Sequence, residues 1–179
     1  MKAIVISYSL TGNNEDLAAS LAATLGAEHV RITEPKPRTM GTIALDMMFN
    51  RTPKIIMPVE ADRLRPNAEA YDLVLFVGPV WMGQVASPFR ACFKQLGPRI
   101  ARYAFTSISG GADGPNPRLA DELKKRLGKE PVCLVDLHIA DLLPAAPKPT
   151  REDTSAYRIT ESDVKHLTDT IVATLQEIL

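Results

Sequence analysis

Residues 3–25 read AIVISYSLTGNNEDLAASLAATL. Ala3, Ile4, Val5 and Ile6 form an unbroken apolar run ending at Ser7, the pattern of a strand covered on both faces. From residue 14 to 25, Leu17, Leu21 and Leu25 recur at helical spacing, and Gly26 supplies a stop. Between the two lies Ser9-Leu10-Thr11-Gly12-Asn13-Asn14, rich in hydroxyls and amides, and residues 3–30 contain no Lys or Arg. A buried strand that opens through such a loop straight into a helix is the first half of a strand–helix–strand unit.

The alternation repeats along the chain. Further strands are expected at 30–33, 71–78 (YDLVLFVG, the strongest run), 103–108 and 132–138. Helices are expected at 39–50, 88–96, after Asn116-Pro117 as far as Gly128, and at 160–179. The last has Thr160 and Asp163 in capping-box register, with Asp in place of the usual Glu. The pattern predicts one α/β domain over residues 1–179: a doubly wound, five-stranded parallel sheet in the order 2-1-3-4-5. Two segments exceed that minimum. Residues 34–70 are too many for one crossover helix, and within them Ile43, Met47 and Met48 fall near one helical face as core filler. Residues 141–157 hold Pro144, Pro147 and Pro149 and read as an irregular excursion over the surface or into a homodimer contact.

The 179 residues contain 45% hydrophobic side chains, enough for a buried core. The 21 Lys and Arg balance 21 Asp and Glu, which argues against nucleic acid as the main partner. The first apolar run is too short for a signal peptide, and no stretch approaches the length of a membrane span. The expected location is therefore the cytoplasm. Cys92 and Cys133 lie far apart without a CxxC pair, so neither a disulfide framework nor a metal site is expected. Both read as buried residues, Cys92 on a helix and Cys133 on a strand.

In an open parallel sheet, ligands bind at the carboxyl ends of the strands where the chain order reverses, here between the first and third strands. The Ser9–Asn14 loop leaves the first strand there and ends at a helix N-terminus, whose free N–H groups favour an anion. Ser9 and Thr11 add hydroxyls, Asn13 and Asn14 add amides, and Gly12 lets the backbone approach closely. This is a phosphate cradle of neutral donors. The alternative is that Thr11 and Asn13 merely cap the helix while Glu15 and Asp16 satisfy its dipole. A nucleotide-hydrolysing loop is disfavoured, because no GK[ST] follows, and GxGxxG is absent too. After the third strand comes GPVWMGQVASPF, residues 78–89. Gly78 and Pro79 turn the chain, Val80 leads to Trp81, the only Trp, and Met82-Gly83 follows. A flat aromatic beside a mobile Gly peptide suits a flat heterocyclic ring. After the fourth strand, Ser109-Gly110-Gly111 frees backbone N–H groups for a ligand.

Together these residues resemble the flavodoxin superfamily. Ser9-Leu10-Thr11-Gly12-Asn13 matches its phosphate loop, S-x-T-G-N-T, while Asn14 stands where the family usually has Thr or Ser. Gly78-Pro79-Val80-Trp81-Met82-Gly83 is similar to its second loop and Ser109-Gly110-Gly111 to its third. The resemblance implies a flavodoxin-like fold that binds FMN. The phosphate would sit on Ser9 to Asn14, Trp81 would lie against the isoalloxazine, the Met82–Gly83 peptide would respond to protonation at flavin N5, and Gly110–Gly111 would hold the pyrimidine edge.

The implied function is an FMN redox protein carrying electrons or hydride between a reduced donor and an acceptor, either a partner protein or NAD(P)H with a small acceptor. Electron-transfer flavodoxins are typically strongly acidic, whereas this chain is neutral. Near the expected ring site Asp113 is the obvious acid, with Arg90 and Lys94 on the next helix. That balance points to a less negative potential and to an NAD(P)H-dependent quinone or flavin reductase. A flavin-free binding or regulatory module on the same fold is the reading from another class. No residue reads as an acid–base catalyst. His138 ends the fifth strand as a hydrogen-bonded structural residue, His29 and His166 read as solvated, and Tyr8 is expected to pack beneath the cradle.

Overall fold

Every residue of β1 (Ala3–Ser7) and β3 (Leu73–Val77) is buried, because helices cover both faces of the sheet they form. The computed structural model describes residues 1–57 and 70–178. The further elements are α1 (Asn13–Leu25), β2 (Glu28–Arg31), α2 (Met40–Met48), β4 (Val80–Trp81), β5 (Gln84–Val85), α3 (Ser87–Leu96), β6 (Tyr103–Ser109), α4 (Leu119–Leu127), β7 (Cys133–His138), α5 (Arg151–Ala156) and α6 (Glu161–Gln176). The main sheet has five strands in the order β2-β1-β3-β6-β7, all parallel, and β4 pairs with β5 in a separate antiparallel hairpin. Counting main-sheet strands alone, this is the expected 2-1-3-4-5 order.

Alternate residues of each strand enter opposite cores. Ile4, Ile6, Val74, Phe76 and Phe105 face α3 and α4, where Phe89, Phe93, Leu123 and Leu127 meet them. Ala3, Val5, Leu73, Leu75 and Val77 face α1 and α6, against Leu17, Leu21, Leu167 and Ile171. Cys92 belongs to the first core and Cys133 to the second; both are free thiols. Burial pushes the Cys92 thiol up to about 12, which leaves it unreactive.

Several boundaries differ from the sequence expectation. The second strand spans Glu28–Arg31, and Thr33 makes an isolated antiparallel bridge to Ile56 instead of extending it. The helix expected to start at Asn116-Pro117 starts at Leu119 with Arg118 as its N-cap. Asn116 is diverted, since its Nδ2 donates to Asp136 Oδ2 at 2.8 Å. Helix α2 buries Ile43 and Met47 as expected, but Met48 is exposed. His29 is half-buried on β2 and not freely solvated: its Nε2 lies 2.8 Å from Ser7 Oγ, and Glu15 approaches the ring at 3.7 Å. Residues 58–69 of the long second connection, and Leu179 of the last helix, lie outside the described residues.

The 141–157 excursion folds back over the chain's own surface. It carries α5, capped reciprocally by Thr150 and Asp153, and joins α6, where Thr160 and Asp163 form the expected capping box. No helix among the described residues is long and apolar enough to cross a membrane.

Candidate functional site

The three sequence-flagged loops all leave the carboxyl edge of the sheet, after β1, β3 and β6. In the first, Gly12 is the N-cap of α1 with φ 101°, and no side chain caps the helix. The alternative in which Thr11 and Asn13 serve as caps is therefore wrong. Ser9 Oγ accepts from the Gly12 N–H at 3.0 Å and fixes the turn. The backbone N–H groups of Leu10 and Thr11 donate to no acceptor among the described residues. They join the first N–H groups of α1 as outward donors.

The two asparagines of the loop work inward. Asn14 is 3% exposed, its Nδ2 donates to the Ile108 carbonyl at 2.8 Å, and its Oδ1 accepts from the Ile108 N–H at 3.0 Å. It mimics a strand neighbour for β6. Asn13 donates through Nδ2 to the Tyr157 carbonyl and accepts the Ile159 N–H on Oδ1. Both side chains are buried and each Nδ2 has spent one of its two N–H groups on the protein's own backbone, which leaves the backbone N–H groups as the main donors of this loop.

Gly78-Pro79 leads into the β4–β5 hairpin. Met82 and Gly83 both have positive φ, 51° and 75°, as a two-residue primed turn requires. Gly83 fits that turn easily; Met82 adopts it with its side chain 71% exposed. Trp81 is half-buried. The edge of Tyr8 meets it at 5.8 Å, and the Arg38 guanidinium stands over its ring at 5.6 Å. Arg38 is held by Glu34 and Asp46, with N–O distances of 2.6 and 2.7 Å. Glu34 also accepts from the Tyr8 hydroxyl at 2.9 Å, and Asp46 from Ser87 Oγ at 3.0 Å. Burial and then the Glu34 charge push the Tyr8 phenol's pKa upward, so Tyr8 stays a neutral donor. Sequence reasoning missed Arg38, whose basic side chain sits in an acid-flanked stretch that gave no motif.

In the third loop, Gly111 has φ 75°, and a Cβ there would come 2.3 Å from His138 Cβ. Only glycine fits both constraints. His138 is the seat for that glycine and a partner of Asp136, at 3.3 Å. Asp136 also accepts from Ser107 Oγ at 2.5 Å and from Asn116, so the base of the loop is cross-braced. Asp113 at the loop tip pairs with Arg151 of α5 at 2.8 Å, and Thr154 is buried against Gly110.

A cleft of about 440 Å³ lies between the second and third loops. Val80, Met82, Gly83, Ser109, Gly110 and Gly111 line it, with Thr154 and Arg151 from α5. Its size is in the range of small-molecule sites. The first loop and Trp81 lie outside its lining. They are tied to it indirectly, the first loop through Asn14 to Ile108 and Trp81 through the hairpin.

No protein-family model matches the chain, and no curated protein matches it by sequence. Solved structures do. A flavoprotein from Lactobacillus acidophilus, in complex with FMN, superposes with a TM-score of 0.63 at 19% identity, over 75% of this chain and 92% of that one. The Trp repressor binding protein from Bacillus subtilis gives 0.59 at 10% identity, over 99% of this chain and 100% of the other. A flavodoxin from the domain Archaea gives 0.54 at 12% identity over 99% of each. This chain has a flavodoxin-like α/β fold.

Proposed function

We propose that this chain binds FMN and works as a redox protein. The observation that carries the reading is the joint geometry of the three loops at one sheet edge. Unspent N–H donors lie on the first, an aromatic hairpin with a strained turn forms the second, and a glycine pair braced on His138 forms the third. The N–H groups of Leu10, Thr11, Asn13 and Asn14, with the Ser9 and Thr11 hydroxyls, would hold the phosphate. Met82, Gly83, Gly110 and Gly111 would border the ring in their shared cleft. The similarity to a flavoprotein that contains FMN supports the same ligand here. Bound flavin supplies one- and two-electron chemistry, while the protein's residues orient it and set its potential.

The charge around this edge favours the reductase form of that function. Asp113 is neutralised by Arg151, and the acids nearest Trp81 are spent on Arg38. Among the described residues that line the cleft, Asp113 is the one carboxylate, and with Arg151 beside it, its charge does little to raise the energy of an anionic reduced flavin. We therefore favour hydride transfer from NAD(P)H to a quinone or flavin acceptor over a low-potential shuttle.

The first test is the visible absorption spectrum of the purified protein before and after addition of FMN. Perturbed flavin bands are expected. A colourless protein that leaves added FMN spectrally free overturns the reading and leaves a flavin-free module on this fold.

A further inference from the structure

Away from the three loops, a second cavity of about 450 Å³ opens between α2, α3 and α4. Arg90, Lys94, Lys125 and Arg126 line it, with Glu122 as its acid and Gln84 from β5. Arg90 is 1% exposed. Its Nη1 donates to the Asp46 and Arg51 carbonyls, both at 2.9 Å, and its Nη2 to Gln84 Oε1 at 3.0 Å and Met47 Sδ at 3.6 Å. Its Nε is buried without a hydrogen-bond partner. Every hydrogen-bond acceptor it has is neutral, so the Glu122 and Asp46 carboxylates offset its charge only through space.

The nearby carboxylates are committed elsewhere. Asp46 serves Arg38 and Ser87. Glu122 pairs with Arg126 and accepts the Val85 N–H at 3.0 Å. Lys94 reaches only Thr52 Oγ1, at 3.2 Å, and Lys125 has no ion-pair partner among the described residues. Arg90, Lys94 and Lys125, none in a direct ion pair among the described residues, therefore share one cavity. Burial lowers the Arg90 pKa and the Arg126 charge adds to the effect, while the Glu122 and Asp46 charges oppose it.

We propose that this cavity is an oxyanion site that takes the phosphate of a small molecule, with Lys94 and Lys125 as its charged rim and the buried Arg90 guanidinium as the fixed positive charge in its wall. The proposal does not rest on FMN binding. Two flexible ammonium groups beside a fixed guanidinium charge suit the several acceptor oxygens of a phosphate. The site also communicates with the flavin-side edge. A neighbouring cavity of about 470 Å³ shares Gln84, Glu122 and Lys125 with it and extends to Met82 and Gly83. A phosphate carried on a nucleotide could lie along that groove, while free phosphate would fill the basic end alone.

The test is an NMR titration of the full chain, in flavin-free and FMN-supplemented samples, that follows the Arg90 Nε–H signal. The additions are inorganic phosphate and, separately, ADP. A saturable shift with phosphate is expected, with affinity weakened at least about tenfold in K94Q/K125Q, whose exposed positions leave the fold intact. ADP binding more tightly than phosphate assigns the nucleotide source, and equal binding assigns free phosphate; either sustains the site. A signal unmoved at tens of millimolar phosphate overturns the proposal, as does an equal response in the double variant. Phosphate uptake confined to the Ser9–Asn14 loop would leave Arg90 unmoved and so speaks only to the FMN reading.

Discussion

Asn14 offers the most direct test of how the first loop is built. Asn14→Ala removes two hydrogen bonds, at 2.8 and 3.0 Å, and leaves the Ile108 carbonyl and N–H facing a buried void. Each buried backbone group left unsatisfied costs about 1–3 kcal/mol, so the pair costs about 2–6 kcal/mol. In a domain of 179 residues that lowers Tm by roughly 5–16 °C. Asn14→Asp sharpens the argument. Its protonated carboxyl can reproduce both bonds, whereas its carboxylate would face the Ile108 carbonyl oxygen. Folding therefore raises the pKa of that Asp, the native state binds the extra proton, and stability relative to wild type falls as pH rises above about 3.9. Chemical denaturation of the three proteins at pH 5 and pH 8 reads both effects. An alanine variant as stable as wild type, or an aspartate variant whose deficit does not grow with pH, refutes the pinning role and restores Asn14 as a ligand donor.

Gly111→Ala places a Cβ against His138 in a left-handed backbone and is expected to lose at least ~2 kcal/mol together with FMN binding; melting curves and flavin titration check both. Trp81→Leu forfeits the Tyr8 edge contact and the Arg38 cation–π contact, each worth about 1 kcal/mol, and should weaken FMN at least about tenfold. Unchanged affinity would remove Trp81 from the site. His29 has its pKa lowered chiefly by burial, so the native state binds fewer protons than the unfolded chain, and stability is lost as pH falls through about 6.5. His29→Asn should flatten that part of the stability–pH profile. For the flavin-loaded protein, a very negative second one-electron potential would overturn the reductase reading.

The main sheet was legible because it is covered on both faces. Unbroken runs such as Ala3–Ser7 and Leu73–Val77 have few other interpretations in a chain of alternating helices. The β4–β5 hairpin was not legible, since two-residue strands carry no periodicity. Its signal was the Met82-Gly83 pair, and Met gives no warning that it adopts positive φ. The loops of the site could be located, but not how their polar side chains are used. Asn14 finds its partner 94 residues away and Asn13 more than a hundred, in segments that only the fold brings near. Asn116 misled in the same way: it reads as a helix cap, yet it serves an aspartate on β7. Short polar side chains suit several local roles equally well, and tertiary partners decide among them.

That internal use of the asparagines bears on how the cradle would work. An amide on a rotatable side chain must be ordered when a ligand arrives, whereas a backbone N–H at a helix start is already fixed. In this chain Asn13 and Asn14 hold the first turn of α1 to β6 and to the residues preceding α6, so the turn's N–H groups are immobilised before any anion binds. The same bonds couple the first loop to the third, because Ile108 lies one residue before Ser109, and Tyr157 follows directly on α5, which packs on Gly110. Under the proposed FMN binding, the phosphate at the first loop and the ring at the third would draw on one rigid frame. Loss of Asn14 should accordingly weaken FMN through misplaced N–H groups, since its own side chain is spent on Ile108.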